Sequence, residues 1–545
     1  MQLQGQHVLI LGLGASGLAM ARWCARAGAE VSVADTRDAP PQLATLQAEW
    51  PSVRFIAGPF SADLVQGTSV RAVFRSPGLA PDVVAPVVNA AQAMGLWQGG
   101  ELTLFAAALS ELNTRCAYRP HVLAITGTNG KTTVTSLTGQ LVARAGKSVQ
   151  VAGNIGPTLL DTLTQALAQA QAQIDAQTEA DAQTEAEVPS PAESVADQAV
   201  SVAIQRHPLA AALPEVWVLE LSSFQLDSSE GFEPTAATVL NVSQDHLDWH
   251  GDMSAYAAAK ARIFGEQTLM VLNREEPLVM AMRPAPVRVK LQKPIERECL
   301  LFGGDMPQRP GDFGIEVANG MTWLVRALEA DETRRRRKDQ EDDLHIQRLI
   351  PADALRIRGR HNAVNALAAL ALASSAGCAL GPMLYGLREY RGEPHRVQPV
   401  AIIDGVEFFD DSKGTNVGAT VAALKGLGAE RRVVVILGGE GKGQDFSPLA
   451  EPISRFVRAV VLIGRDAPLI RAALQDSAAL LHDAADMASA VNLAAELAQS
   501  GDAVLMSPAC ASFDMFDHYE HRAEVFVRAV SDLAETAGVA MEGGL

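Results

Sequence analysis

The sequence predicts an α/β protein of several domains built on largely parallel sheets. Its 545 residues exceed what one core ordinarily organises. Short apolar strands alternate with helical patterns through three successive regions. Two of those strands run directly into glycine turns that open helices, an arrangement suited to holding phosphate at a helix N-terminus.

The first turn lies in HVLILGLGASGLAMARWCARAGAEVSVADTR, residues 7–37. An apolar strand at 8–11 meets Gly12, Gly14 and Gly17, an alanine-rich helix follows, and a second strand at 31–34 ends at Asp35. Such glycines permit a tight turn and close backbone approach to a pyrophosphate, while the acid can accept hydrogen bonds from a ribose. The pattern suits NAD, and it suits any other diphosphate equally well. The second turn, HVLAITGTNGKTTVT at 121–135, carries Lys131 and two threonines. Amides from Gly127, Thr128, Asn129 and Gly130 to Lys131 can cradle phosphate oxygens, the ammonium can neutralise them, and Thr132, followed by Thr133, can ligate magnesium. The spacing is shorter than G-x-x-x-x-G-K-[ST], but the chemistry is that of a nucleoside triphosphate.

Composition narrows the function. Acidic residues outnumber basic ones by 63 to 45, which argues against a general nucleic-acid surface. The start, MQLQGQHVLILG, lacks a basic leader, and the alanine-rich stretch at 363–380 is interrupted by Asn365, Ser374 and Ser375, so neither export nor a membrane span is expected. Five cysteines without a C-x-x-C pair read as reduced, mostly buried thiols of a cytoplasmic protein. Two stretches break the α/β rhythm. Residues 158–215, rich in Ala, Gln and Glu with the repeat DAQTEA-DAQTEA, read as a low-complexity insertion, part helix and part loop. A charged loop is expected at 331–345, where TRRRRKDQEDD falls.

Further along, EVWVLELSSFQLD at 215–227 is a continuous apolar strand ending at Glu220, where a nucleotide-bound magnesium needs a hard oxygen ligand. AATVLNVSQDHLDWHG then delivers Asp245, His246, Asp248 and His250, and YAAAKARIF places Lys260 on a short amphipathic helix.

Taken in order, GTNGKTT, LELSSFQL, NVSQDHLD and YAAAKARIF resemble the Mur ligases, ATP-dependent amide-forming enzymes of peptidoglycan precursor synthesis. GRHNAVNALAAL, GEPHRVQ, DDSKGTNVGAT, LGGEGKGQDF and SPACASFDMFDHYEHR extend the resemblance along nearly the whole chain. It implies three domains: a Rossmann-like one at 1–98 for a UDP-linked substrate, a central P-loop ATPase-like one at 99–391, and a Rossmann-like C-terminal one at 392–545 for the amino acid. It also implies a cytoplasmic monomer acting on UDP-N-acetylmuramoyl-L-alanine and D-glutamate, without nucleic acid or membrane. A ligase adding a different amino acid, or an NAD-dependent oxidoreductase, is the alternative.

By the same resemblance the UDP-linked substrate meets Ala15, Ser16, Asp35, Thr36, Arg37, Ser76, Gly78 and Asn154. The helix N-terminus and Arg37 would both face the diphosphate. ATP falls to Gly127–Thr133 with Asn362, Asn365, Arg396 and Asp411, and D-glutamate to Lys413, Thr415, Lys442, Ser512, Phe513 and Tyr519, the last where the family often has phenylalanine. Two magnesium ions are implied, one on Thr132 and Glu220, the other on His246 and a carbamylated Lys260. An unmodified lysine would be cationic at neutral pH and would repel the metal.

Overall fold

The computed structural model describes residues 3–187, 207–287, 294–330, 344–357, 359–428 and 431–539. Its first sheet contains β1 (His7–Leu11), β2 (Glu30–Asp35), β3 (Arg54–Ala57), β4 (Val70–Arg75) and β5 (Trp97–Gly99), all parallel, in the order β3-β2-β1-β4-β5. Because β2 and β4 flank β1 and the connections leave in opposite directions, the turn after β1 opens at a topological switch point. Gly17 is fixed by packing. A Cβ there would sit 2.0 Å from the Gly12 carbonyl oxygen.

A second parallel sheet contains β6 (His121–Thr126), β7 (Val149–Gly153), β8 (Val216–Glu220), β9 (Ala236–Val239), β10 (Leu269–Asn273) and β11 (Cys299–Phe302), in the order β11-β10-β9-β6-β8-β7. Within HVLAIT the four central residues, 122–125, are all apolar and buried because both faces of the strand are covered. Val122 and Ala124 join a core shared with the first sheet, whereas Leu123 and Ile125 pack toward the helix Arg360–Ser375. That shared core includes Met20, Phe105, Leu160, Leu163 and Trp217. Its polar atoms are paired: Trp217 Nε1 donates to Tyr118 Oη at 2.8 Å, and that hydroxyl donates to the Pro214 carbonyl at 2.6 Å. Arg75 Nη2 also donates to Asp227 Oδ2 at 2.6 Å between the two regions.

The insertion expected at 158–215 is corrected by the structure. A single helix runs Leu159–Glu187, and Leu159, Leu160, Leu163, Ala166 and Ala170 are buried in the shared core. Three leucines at helical spacing with alanines between them suffice where a helix lies against other helices, because small residues allow close approach. Leu209 and Leu213 also belong to that core. From 171 the helix is largely exposed and carries side-chain pairs such as Gln171 Nε2 to Asp175 Oδ1 at 2.8 Å. Residues 188–206 lie outside the described residues. The charged loop is corrected too. Leu344 and His345 already belong to a strand, while 331–343 lie outside the described residues.

That strand is part of a small antiparallel sheet of β12 (Phe313–Ala318), β13 (Met321–Glu329) and β14 (Leu344–Pro351). The last sheet contains β15 (Gln398–Ile403), β16 (Val406–Asp410), β17 (Val433–Gly438), β18 (Val457–Ile463), β19 (Leu480–Asp483) and β20 (Ala503–Met506), in the order β15-β16-β20-β17-β18-β19. Only the β15–β16 pair is antiparallel. Buried Arg522, on the helix Tyr519–Thr536, donates to the Ser412 carbonyl at 2.7 Å and the Cys510 carbonyl at 3.1 Å, fixing two loops at the end of this sheet. All five cysteines are free thiols, four of them buried and Cys299 half-buried. Among the described residues no helix is long and apolar enough to cross a membrane.

Candidate active site

The first glycine turn is shaped by its neighbours. Ser76 Oγ donates to the Gly12 carbonyl at 3.0 Å, Ala15 is exposed at the head of the helix Ala15–Arg26, and Ser16 follows it. Gly78 borders open space and Thr36 is exposed. Asp35 is buried and already engaged. Its carboxylate accepts from Leu13 N at 2.7 Å and from Arg37 Nε and Nη2 at 2.9 and 2.8 Å. The guanidinium, more than the backbone donors, holds the Asp35 carboxyl down to about 2. Arg37 therefore folds onto Asp35 in the structure instead of facing the turn, since a bidentate ion pair beside a buried carboxylate outweighs solvation of a free arginine.

The second turn connects β6 to the helix Lys131–Arg144, with Gly127 and Gly130 at φ +155° and +82°. Asn241 grips its backbone: Asn129 N donates to Asn241 Oδ1 at 2.8 Å, and Asn241 Nδ2 donates to the Asn129 carbonyl at 3.0 Å. Lys131 Nζ donates to the carbonyls of Gly127 and Thr128 at 2.9 and 2.8 Å, and burial lowers its pKa against the pull of Glu220 and Asp245. Thr132 and Thr133 are buried behind it. Asn365 lies against Gly130, where a Cβ would come 2.9 Å from its Oδ1, and it donates to Asn362 Oδ1 at 3.2 Å.

Glu220 ends β8 as expected and is buried. Its Oε1 accepts from Asn154 Nδ2 at 2.7 Å, and its Oε2 has no partner. A buried carboxylate oxygen left unpaired is costly, and a cation beside Thr132 would satisfy it. Lys260 is 1% exposed. It lies 4.4 Å from the centre of the Tyr256 ring and donates to the Gly127 carbonyl at 2.9 Å. Burial drives its pKa well below that of an ordinary lysine, and Lys131 pushes in the same direction. His246 is an αL residue at φ +54°, packed edge-on against Phe224 at 4.7 Å, and burial keeps its ring below the usual histidine range. Among the described residues no group of three or more His, Cys, Asp and Glu side chains could hold a metal without help. A metal here would have to take its remaining oxygens from other groups.

The last sheet reaches over the second turn. Arg396 Nη2 donates to Thr132 Oγ1 at 2.9 Å, and its Nε is buried without a partner. Asp411 accepts from Val397 N at 3.2 Å and from Ser507 Oγ at 2.6 Å, and burial raises its carboxyl to about 7. Lys413 is half-buried 5.2 Å from the centre of the Tyr519 ring, with burial and Arg396 lowering its pKa while Glu220 raises it. Lys442, exposed at φ +52°, is near enough to His246 to depress its pKa. Thr415 N donates to the Lys413 carbonyl at 2.9 Å and is half-buried, Ser512 is buried, and Phe513 is 67% exposed. The second and third regions thus meet around Thr132, Glu220 and Arg396. Asn154, directly after β7, holds Glu220 at the end of β8.

Three participants were not singled out from the sequence. Asn241 stood in a quoted motif directly after β9, where a side chain reaches a neighbouring turn. Tyr256 opens YAAAKARIF, a run quoted for Lys260 alone. Glu101, in the first turn of the helix Glu101–Cys116, is 2% exposed, accepts from Leu160 N at 3.0 Å, and is raised to about 7 by burial.

Comparison with known proteins matches three descriptions in order: "Mur ligase MurD-like, N-terminal domain" at residues 6–97, "Mur ligase middle domain" at 125–298, and "Mur ligase, glutamate ligase domain" at 395–510. The chain is 65% identical over 541 residues to a protein of Albidiferax ferrireducens called UDP-N-acetylmuramoylalanine--D-glutamate ligase, covering 99% of each. A protein of the same name from Burkholderia mallei is 51% identical over 549 residues, again covering 99% of each. Among solved structures, MurF ligase from Thermotoga maritima in complex with ADP superimposes at a TM-score of 0.51 with 16% identity, over 97% of this chain and 96% of that one, a likeness of fold. The first glycine turn thus falls within a ligase domain, which sets the NAD reading aside, and with all three domain types present in sequence the chain belongs to the Mur ligase family.

Proposed function

We propose that the chain joins D-glutamate to UDP-N-acetylmuramoyl-L-alanine in the cytoplasm, converting ATP to ADP and phosphate, and that it does so as a monomer. The observation that carries this reading is the meeting of Arg396 with Thr132: it brings the third region, with Lys413, onto the turn that would hold ATP. The names of the relatives at 65% and 51% identity support the choice of substrates.

A carboxylate is a poor electrophile until its oxygen becomes a good leaving group. The substrate carboxylate attacks the γ-phosphorus, ADP departs, and an acyl phosphate remains. The D-glutamate amine then attacks the acyl carbon, and the tetrahedral intermediate expels phosphate as the nitrogen loses its proton. The chain's task is positioning and charge neutralisation. Gly127, Thr128, Asn129, Gly130 and Thr133 line the phosphates, Lys131 neutralises them, and Arg396 stabilises the charge that grows on the transferring group. Asn362, Asn365 and Asp411 hold the rest of the nucleotide. Ala15, Ser16, Asp35, Thr36, Arg37, Ser76 and Gly78 bind the uridine diphosphate end, with Asn154 on the muramoyl portion. Lys413, Thr415, Lys442, Ser512, Phe513 and Tyr519 receive D-glutamate, two ammonium groups suiting a dicarboxylate.

Magnesium, when bound, neutralises phosphate charge and polarises the γ-phosphoryl group. The unpaired Glu220 Oε2 fits such an ion, with Thr132 as its companion ligand. His246 and Lys260 would hold a second ion once Lys260 carries a carbamate, which turns a cation confined beside Lys131 into an anionic oxygen donor.

Phosphate release from ATP and UDP-N-acetylmuramoyl-L-alanine, followed across a panel of amino acids, tests the reading. Release that depends on D-glutamate supports it. Release with another amino acid, or none, refutes it.

A further inference from the structure

Asn129 and Asn416 face each other across the boundary between the ATP turn and the third region. Asn129 Nδ2 donates to Asn416 Oδ1 at 3.2 Å, and Asn416 Nδ2 donates back to Asn129 Oδ1 at 3.0 Å. The backbone of Asn129 is already held from behind by Asn241. Asn416 is only 5% exposed, and its Oδ1 also accepts from Ala419 N at 2.9 Å at the head of the helix Val417–Gly428. The fit around the pair is close: a Cβ on Gly418 would come 3.0 Å from Ser243 Oγ and 3.1 Å from Asn129 Nδ2.

A carboxamide presents a donor and an acceptor side by side, so two of them can pair reciprocally without charge. The Arg396–Thr132 contact differs. It is cationic, and Arg396 has a phosphate to serve. The amide pair stays neutral whatever occupies the turn, and it sits at the foot of the loop that carries Lys413 and Thr415. We infer that Asn416 is a positioning residue that clasps the third region onto the ATP turn and so sets the approach of the incoming amine to the activated carboxyl group. This rests on the ligase reading above.

Two variants test it. Asn416→Ser keeps an oxygen able to cap Ala419 N but is too short to reach Asn129. Asn416→Asp keeps size and cap while setting an oxygen against Asn129 Oδ1. Both should melt near the wild type. The expected result is a KM for D-glutamate raised about ten-fold, as befits two neutral hydrogen bonds, with a lower kcat and a KM for the UDP-linked substrate within about two-fold of wild type. Small-angle scattering of the ligand-free protein should show expansion in both variants. Unchanged D-glutamate kinetics together with unchanged scattering overturn the inference. A wild type that releases no phosphate with D-glutamate overturns the ligase reading instead, and the scattering comparison then still decides whether the clasp exists.

Discussion

Lys131 and Lys260 donate to the same acceptor, the carbonyl oxygen of Gly127, each at 2.9 Å. Two ammonium groups converging on one carbonyl in a buried space oppose each other, and Lys260, at 1% exposure, has the fewer means of relief. Carbon dioxide can react with its uncharged amine, the form that burial favours. Lys260→Ala should nearly abolish amide formation with the fold intact, and a small carboxylate in the buffer should restore part of the activity. Labelled bicarbonate should give a carbamate resonance in the wild type alone. A fully active variant, or no such resonance at saturating bicarbonate, removes the modification from the mechanism.

Arg396 brings a planar fork to the ATP turn, and lysine cannot reproduce it. Arg396→Lys should lower kcat by about ten-fold and Arg396→Ala by roughly a hundred-fold or more, the scale for losing a donor to developing charge. The KM for the UDP-linked substrate should barely move, because its proposed contacts lie elsewhere. Steady-state phosphate release measures both effects. Equal kcat values in all three proteins would place Arg396 outside the reaction.

Glu101 makes stability depend on pH in an unusual direction. Its carboxyl is raised from 4.5 to about 7, chiefly by burial, so the folded chain holds this proton more tightly than the unfolded chain does. Stability is fully retained below about pH 4.5 and declines as pH rises through 7, with a loss of about 3 kcal/mol once the group is ionised. Glu101→Gln keeps an oxygen for Leu160 N and removes the charge. Thermal melts should show the variant gaining on the wild type at pH 8 and little difference at pH 5. A gap no larger at pH 8 would mean that Glu101 is not protonated in the folded protein.

Removal of 171–206, with a short linker to the helix Pro208–Ala212, whose Leu209 is buried, should leave phosphate release within about two-fold of wild type, because that part of the long helix contributes little to the core. A deletion that begins at 158 should fail to fold. It discards Leu159, Leu160 and Leu163, each worth about 2–5 kcal/mol of packing. Expression and melting of the two proteins decide between the boundaries, and a stable protein from the longer deletion would contradict the packing described above.

The contrast between these segments shows what a linear sequence reveals. β6 and β8 were legible because continuous apolar runs ended in chemically distinctive residues, Gly127 and Glu220. The buried part of the helix Leu159–Glu187 was not, since its few leucines are diluted by Ala and Gln, and only the assembled helix layer shows that one face is enough. Arg37 was legible as a neighbour of Asp35 but not in its orientation, because the choice between a diphosphate and an adjacent carboxylate is made in three dimensions. Asn416 lay in a quoted motif, yet its partner is 287 positions away. No local pattern carries that distance.

The core that runs unbroken from Met20 through Phe105 and Leu160 to Trp217 has a consequence for how the molecule comes apart. Two sheets that share one apolar interior melt together, so a lesion beneath the first glycine turn would be transmitted as disorder to the ATP turn. The third region keeps its own apolar clusters around Leu437 and Phe526. Calorimetry should therefore resolve two cooperative units where the sequence suggests three, the third region unfolding apart from the other two.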